Sequence, residues 1–383
     1  MSPHGQSGSV IAFDGKTGNI IWQTDNGIDT HNIWARSLIR DGTCEGTFAT
    51  LAIGDIDGWN DVVFESWDFM IWAVDRLGEP LSGFSINNDD TVWLSPALFD
   101  IDGDHRMEIF VGGHSTPLGY FDHLGGVFRA LAWAPGGVNQ LWHRTTSEVI
   151  QGSPAIADID NDGRLELVVT TDEYWHVTCG RRALSRTARR VPATITTRSL
   201  WHLDDSSDVG GWPVATGHTV TPSPAIGDLA DDGDLEVVGG GLDTYVRAWH
   251  GDGTPLWSVQ PSHGAAHLGP AIVAGHPVIA DLDGTRQIVF VGFDTSHGKT
   301  RVAAFDLPGS TLIVDAWPMF GQNTQRTGVG TAVSCGGFRD VSKAAYYFQP
   351  VAWTTEEGIS SGVSDNMYAP ECAITRAGVS TFI

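Results

Sequence analysis

The chain has little positive charge and no long apolar run. Only 22 of its 383 residues are Lys or Arg, against 46 Asp or Glu, which gives a net charge of −24. A surface this acidic repels phosphate backbones and anionic lipids, so we expect no nucleic-acid partner and no binding to membrane surfaces. No window reaches the roughly 18 uncharged apolar residues of a membrane helix, so we predict no membrane span.

Cysteine is also scarce. Cys44, Cys179, Cys335 and Cys372 lie far apart and form no CxxC pair, which gives no support to zinc or redox chemistry. Cys335 and Cys372 are either a disulfide of an oxidising compartment or two free thiols.

The first residues, MSPHGQSGSVIAFDG, lack the basic segment and apolar run of a signal peptide. The protein is therefore either cytoplasmic or missing its natural N-terminus. Because a repeat is already under way at Gly8, we favour the second alternative and expect a secreted protein of the cell surface.

Glycine and tryptophan are abundant. The chain contains 47 Gly and 15 Trp, while charged residues make up only 18%. Many turns and many bulky strand residues predict an all-β fold.

One sequence unit recurs five times. The copies read LAIGDIDGWNDVVF from 51, SPALFDIDGDHRMEIFVGG from 95, SPAIADIDNDGRLELVV from 153, SPAIGDLADDGDLEVVGGG from 223 and PVIADLDGTRQIVFVG from 277. Each copy predicts an apolar strand, an Asp/Gly-rich loop and a second strand, and a further hairpin follows downstream. The first Asp of successive loops is 45 to 70 residues apart. This period is typical of propeller blades with loop insertions.

Four strands per unit predict a β-propeller over residues 1–328. A four-stranded sheet has two apolar faces to bury, and radial packing of blades buries both. The five units and the hairpin at 8–24 suggest about six blades, or about seven if the N-terminus is incomplete. Recurrent Trp residues at hairpin ends are predicted to pack between blades, namely Trp22, Trp142, Trp257 and Trp317. The arginine-rich stretch at 179–200 breaks the pattern, and we assign it no function.

Two of the acidic loops are complete. Their alternating carboxylates are Asp100, Asp102, Asp104 and Glu108 in one loop and Asp158, Asp160, Asp162 and Glu166 in the other. Several carboxylate oxygens in one tight turn suit Ca²⁺, and without a cation they repel one another. The other interpretation is that the Asp side chains only cap turns. The acid at position nine and the strand that follows exclude an EF-hand.

Three loops are incomplete. One has alanine at the third ligand position and retains Asp228, Asp232 and Glu236. The other two are shortened, with Asp55 and Asp57 in one and Asp281 and Asp283 in the other, where Gln287 replaces the acid. These three loops either bind calcium weakly or only form turns.

The unit SPAIADIDNDGRLELVV and its sisters resemble the FG-GAP/VCBS repeats of bacterial surface propellers, related in plan to the integrin α-subunit propeller. GSVIAFDGKTGNIIW and WPMFGQNTQRTG also resemble segments of quinoprotein-type propellers. The resemblance covers about residues 8 to 328. It implies structural calcium in the acidic loops, and a protein or glycan as the partner of the propeller.

The C-terminal residues differ in kind. GVGTAVSCGG has no periodicity, which predicts a linker over 329–337. A predicted helix near 350–357 begins at Pro350 and ends at Gly358, and a second begins at Thr375. Residues 338–383 resemble an S-layer-homology module, small and α-helical, through Phe338, Asp340, Val341, Tyr347, Val351, Trp353, Gly362, Pro370 and Thr375-Arg376-Ala377.

That resemblance implies that Thr375 and Arg376 contact cell-wall polysaccharide. The other interpretation of Arg376 is a cap or a surface ion pair. Gly378 stands where the family usually has Glu or Gln, and only one repeat is present.

The sequence therefore predicts a calcium-binding propeller for adhesion or ligand binding, anchored to the cell wall. The alternative is a secreted propeller enzyme, a polysaccharide lyase, a glycosidase or a quinoprotein-like dehydrogenase, because fold alone excludes none of them. The G-x-S-x-G match around Ser360 lies in the module and is interpreted as chance.

Overall fold

The fold was analysed in a computed structural model. It describes residues 9–25, 47, 49–66, 69–89, 92, 94–115, 120–160, 162, 164–172, 197–216, 222–260, 272–273, 275–282, 285–294, 299–308, 317–322, 326 and 328–329. These residues form strands and turns with no helix, which confirms the all-β prediction for this part of the chain. None of them belongs to a helix long and apolar enough to cross a membrane.

The chain divides into two compact units, Met1–Gly330 and Thr331–Ile383. Every described residue belongs to the first unit. The predicted helices at 350–357 and from Thr375 onward lie outside the described residues, and so do all four cysteines and most of the arginine-rich stretch.

The first unit is a series of antiparallel sheets in chain order. A hairpin comes first, with β1 (Ser9–Phe13) and β2 (Ile20–Asp25). The next sheet contains β3 (Ala52–Asp55), β4 (Asn60–Glu65), β5 (Met70–Val74) and β6 (Ile86–Asn87). Then come β7 (Ala97–Phe99), β8 (Glu108–Ser115), β9 (Gly125–Ala134) and β10 (Gly137–Thr146).

Three further sheets follow. One contains β11 (Val149–Ile150), β12 (Ala155–Ala157), β13 (Glu166–Asp172), β14 (Thr197–His202) and β15 (Val214–Ala215). The next contains β16 (Ala225–Gly227), β17 (Glu236–Gly240), β18 (Val246–Trp249) and β19 (Pro255–Val259). The last contains β20 (Ile272–Val273), β21 (Val278–Leu282), β22 (Thr285–Asp294) and β23 (Lys299–Asp306).

Each sheet repeats one meander. Strands that are consecutive in the chain pair side by side, and β11 and β20 add a short extra strand to β13 and β22. We call the strand that begins each meander its first strand, that is β3, β7, β12, β16 and β21. Every acidic loop predicted from the sequence joins a first strand to the second.

The core lies between neighbouring sheets. The largest apolar cluster joins Phe110 of β8, Trp201 of β14 and Trp249 of β18, which belong to three successive sheets. Trp142 packs on Phe110 with ring centroids 6.2 Å apart. Its indole N–H donates to the carbonyl oxygen of Leu203, the residue after β14, at 2.9 Å. Burial between sheet faces is the arrangement expected of propeller blades.

A closing segment, residues 317–329, reaches the edges of three first strands. Within its described part, Trp317 pairs with Ile226 of β16, and the carbonyl oxygen of Pro318 accepts the amide of Ile279 at 2.8 Å. The carbonyl oxygen of Gly328 accepts the amide of Leu98 at 2.7 Å. First strands also lie side by side, β3 with β7, β12 with β16 and β16 with β21. Three of the five first strands therefore bond to one segment, as expected of a propeller, while the number of blades stays a prediction.

Candidate metal sites in the acidic loops

The loop after β7 wraps around one carboxylate. Asp100 accepts the backbone amide of Gly103 at 2.7 Å and that of His105 at 2.9 Å. Gly103 and His105 both have left-handed backbone, with φ of 78° and 70°. The chain therefore turns sharply and brings later residues of the loop back over Asp100.

Three of the four predicted ligands in this loop come together. Asp100, Asp102 and Glu108 each offer an oxygen, and these oxygens lie within 4.8 Å of one another. Asp104 is not in this group, and its carboxylate accepts the amide of Arg106 at 2.8 Å.

The loop after β12 has the same arrangement. Oxygens of Asp158, Asp160 and Glu166 lie within 4.8 Å of one another. Asp162 accepts the amide of Arg164 at 2.8 Å, the same contact that Asp104 makes in the other loop. His202 Nδ1 is 3.2 Å from Oε1 of Glu166.

In each loop, the glutamate that begins the second strand accepts a backbone amide from the start of the loop. Glu108 Oε2 accepts the amide of Ile101 at 2.8 Å, and Glu166 Oε2 accepts that of Ile159 at 2.6 Å. Burial, reinforced by the neighbouring aspartates, raises the pKa of Glu108 to about 7 and that of Glu166 to about 8. In each loop, ionisation of the buried glutamate is therefore unfavourable unless a proton or a cation offsets the negative charge.

The loop after β16 keeps the turn without the full set of ligands. Asp228 accepts the amides of Asp231 and Gly233 at 2.6 and 3.1 Å, while Ala230 occupies the position of the third ligand. Glu236 accepts the amide of Leu229 at 2.7 Å, and burial raises its pKa. The fold of the loop is thus preserved where the cluster of three carboxylates is not.

The shortened loop after β3 contains an acid that the sequence analysis missed. Asp61, fully buried, accepts the amides of Ile56 and Asp57 at 3.1 and 3.3 Å, as the glutamates do in the longer loops. Burial raises the pKa of Asp61 to about 7. One buried oxygen of Asp57 and one of Asp61 have no hydrogen-bond partner. The sequence did contain a signal for Asp61: an acid follows the first Asp of the loop by six residues, where the longer loops have a glutamate after eight.

The last loop is the most reduced. Asp281 lies within β21 and pairs with Arg286 of β22, and Leu282 pairs with Thr285, so only residues 283 and 284 connect the strands. Asp283 lies outside the described residues. Gln287 donates to Asp306 at 2.7 Å.

The donor set of the two complete loops is entirely oxygen, which is the chemistry that Ca²⁺ prefers. Nearby arginines do not neutralise it. Arg164 pairs with Asp204 at 2.5 Å and Asp205 at 3.3 Å, and Arg106 lies over the ring of Trp133 at 5.8 Å. The residues therefore fit a hard divalent cation, although the same hydrogen bonds would also form in a loop that only turns.

Comparison with protein families identifies the end of the chain. Residues 337–377 match the model of the S-layer homology domain. The chain carries an S-layer homology domain. This confirms the resemblance to the S-layer homology domain and indicates a cell-surface protein anchored to the cell wall, while the helices and the bounds predicted for the module stay predictions. Thr375 and Arg376, its predicted polysaccharide contacts, lie outside the described residues.

Solved structures show only distant similarity. The Dos1 propeller is 11% identical to this chain with a TM-score of 0.43. The match covers 80% of this chain and 64% of the Dos1 chain. Quinohemoprotein alcohol dehydrogenase from Comamonas testosteroni is 13% identical with a TM-score of 0.43, and the match covers 77% of this chain and 47% of the dehydrogenase. Saccharomyces cerevisiae Sqt1 is 12% identical with a TM-score of 0.40, and the match covers 69% of this chain and 62% of Sqt1. The chain thus spans less than two thirds of each of these structures.

Similarity at this level carries no argument about function. No curated protein sequence matches the chain. The FG-GAP/VCBS resemblance of the repeats stays a prediction.

Proposed function

We propose that this protein is a cell-wall-anchored surface protein whose calcium-supported propeller binds a protein or glycan. The match of residues 337–377 to the S-layer homology domain carries the proposal. The propeller-like unit is then the part displayed, and the domain is the anchor. Thr375 and Arg376 are the proposed contacts with anionic cell-wall polysaccharide.

The anchor is tested by sedimentation of the full chain with purified cell-wall sacculi. We expect the unaltered protein to pellet, and Arg376→Ala to remain in the supernatant because it loses the cation facing the polymer. Arg339→Ala removes the same charge elsewhere in the domain and should pellet normally. Equal pelleting of both variants would remove Arg376 from the binding site, and no pelleting of any protein would refute anchoring by this domain.

Calcium is proposed for the loops after β7 and β12. The support is the approach of three carboxylates within 4.8 Å in each loop, with a buried glutamate whose pKa is raised. A cation there would replace the proton on the glutamate and relieve repulsion between the aspartates. The ligands would be Asp100, Asp102 and Glu108 in one loop and Asp158, Asp160 and Glu166 in the other.

The role proposed for this calcium is structural. Each loop joins the first strand of a sheet to its second, and β7 also bonds to the closing segment through the amide of Leu98. A cation that holds the loop also holds the two strands it connects, so calcium would stabilise the sheets and not take part in chemistry.

A further inference from the structure

The ends of the first strands opposite the acidic loops are linked from sheet to sheet by hydrogen bonds. The amide of Thr50 donates to the hydroxyl of Ser95 at 2.7 Å, and the amide of Ser95 donates to the hydroxyl of Ser153 at 2.7 Å. The amide of Ser153 donates to the hydroxyl of Ser223 at 2.8 Å, and the amide of Ser223 donates to Nδ1 of His276 at 2.8 Å. We call these five residues the relay.

The relay leaves its serine hydroxyls and its imidazole with a proton that can still be donated. Each serine oxygen already accepts an amide, so its own proton is what it has left to donate. His276 accepts at Nδ1, so the neutral ring carries its proton on Nε2. Burial, with a smaller effect of Arg326, lowers the pKa of His276 to about 4, which keeps the ring neutral at pH 7.

A cavity of about 480 Å³ opens beside the relay. Its polar wall includes Ser95, Ser153, His276 and Arg326. Its apolar wall is supplied by Val278, Val291, Met319 and Phe320. The cavity is far larger than an inorganic ion and offers one side where carbon atoms can be buried.

Among the described residues of this lining, Arg326 carries the formal positive charge. The ring of Phe320 stacks on His276 at a centroid distance of 4.5 Å, and the guanidinium of Arg326 lies over the same ring at 5.9 Å. No described carboxylate forms an ion pair with Arg326. The Arg326 side chain is exposed, so a ligand in the cavity can reach its guanidinium. A guanidinium beside hydrogen-bond donors favours an anionic ligand.

We propose that this cavity binds a small organic monocarboxylate. One guanidinium matches one carboxylate, the serine hydroxyls and Nε2 of His276 supply further donors, and the apolar wall receives the carbon skeleton. A phosphate or sulfate ion offers no surface for that wall. The site lies at the opposite end of the first strands from the acidic loops, so it is independent of the calcium proposed there.

The experiment is ligand-observed NMR with isothermal titration on the full chain at pH 7 in calcium. Probes are pentanoate, 3-phenylpropionate and D-glucuronate, each beside its neutral amide. We expect at least one carboxylate to bind and its amide to bind at least tenfold more weakly. Failure of all three carboxylates, or equal binding of the amides, would overturn the proposal.

Two variants locate the site. Arg326→Met keeps a long side chain over Phe320, and His276→Asn keeps an acceptor for the amide of Ser223. Both should weaken binding at least tenfold while the melting temperature changes little. Arg76→Met removes a guanidinium that lies over Trp59, 4.5 Å from its ring and outside the cavity, and should bind normally.

Inorganic phosphate serves as the competing probe. Displacement of the carboxylate by phosphate at equal concentration would show a site for inorganic oxyanions and overturn the assignment. Unchanged binding in Arg326→Met and His276→Asn would place the ligand elsewhere and overturn it equally.

Discussion

The two ends of the first strands carry opposite chemistry. At one end carboxylates cluster in the loops that lead to the second strands, and at the other end hydroxyls and an imidazole form the relay. Both ends capture backbone amides. Glu166 captures the amide of Ile159 within its own sheet, whereas Ser153 captures that of Ser95 in the preceding sheet. The acidic side chains therefore bond within single sheets, whereas the relay side chains join one sheet to the next.

Removal of calcium should have the largest effect and should act on the acidic end alone. With calcium at a hundredfold excess over the dissociation constant, each site adds about 2.7 kcal/mol to the free energy of unfolding. We expect the melting temperature to fall by several degrees in a chelator, measured by calorimetry. Asp160→Asn and Asp102→Asn should each lose part of the calcium response.

The matched control is Asp234→Asn, because Asp234 is an exposed acid in the incomplete loop after β16. It should keep the full response. A melting temperature that is the same in calcium and chelator would show that the loops only turn, and the calcium proposal would then be withdrawn.

Ser153→Ala should break the hydroxyl end. The side chain is buried, and its loss leaves the buried amide of Ser95 without a partner. An unsatisfied buried amide costs about 1–3 kcal/mol of the free energy of unfolding, measured by urea titration in calcium. Ser258→Ala, at an exposed position of β19, should change it by less than about 0.5 kcal/mol. The same small change in both variants would mean that the relay contributes nothing to stability.

Ala230→Asp should sharpen the comparison between complete and incomplete loops. The loop after β16 already has the turn around Asp228 and the buried Glu236, and lacks only the third ligand. We expect the variant to gain up to about 2.7 kcal/mol of stability that depends on calcium. Ala230→Asn, similar in shape without the charge, should gain less. A variant less stable in calcium than the parent would show that the ligand position is not equivalent to that of Asp102.

The repeat in the sequence predicted the acidic end well. The loops lie between the first and second strands as expected, and local spacing was enough because a turn and its cap involve residues close in the chain. Asp61 was missed because its loop is two residues shorter, and a fixed spacing does not allow for that. Asp104 and Asp162 were also predicted as ligands. Each accepts an amide two residues along, and their role as ligands stays a prediction.

The hydroxyl end was not predicted, although SPA opens three of the five repeats. A serine before a proline has many uses. What gives these serines their role is the alignment of neighbouring sheets, which brings Ser153 to an amide 58 residues away in the chain. That alignment follows from packing between sheet faces, which a repeat in one sequence does not display.

Glu166→Gln should have an effect whose sign depends on calcium. Burial raises the pKa of Glu166 from 4.5 to about 8 in the folded protein without a cation. The folded state then binds the extra proton between these values, so stability falls as the pH rises through this window. Gln carries no charge to bury, so in chelator the variant should be more stable than the parent at pH 8 and close to it near pH 4.5. In calcium the parent should be the more stable of the two, because the cation binds the ionised Glu166 and the neutral Gln side chain cannot replace that charge.

Glu79→Gln, at an exposed position, should show neither change. A stability difference that is the same at pH 5 and pH 8 in chelator would mean that Glu166 is ionised throughout, with its charge already compensated by the amide of Ile159 and by His202.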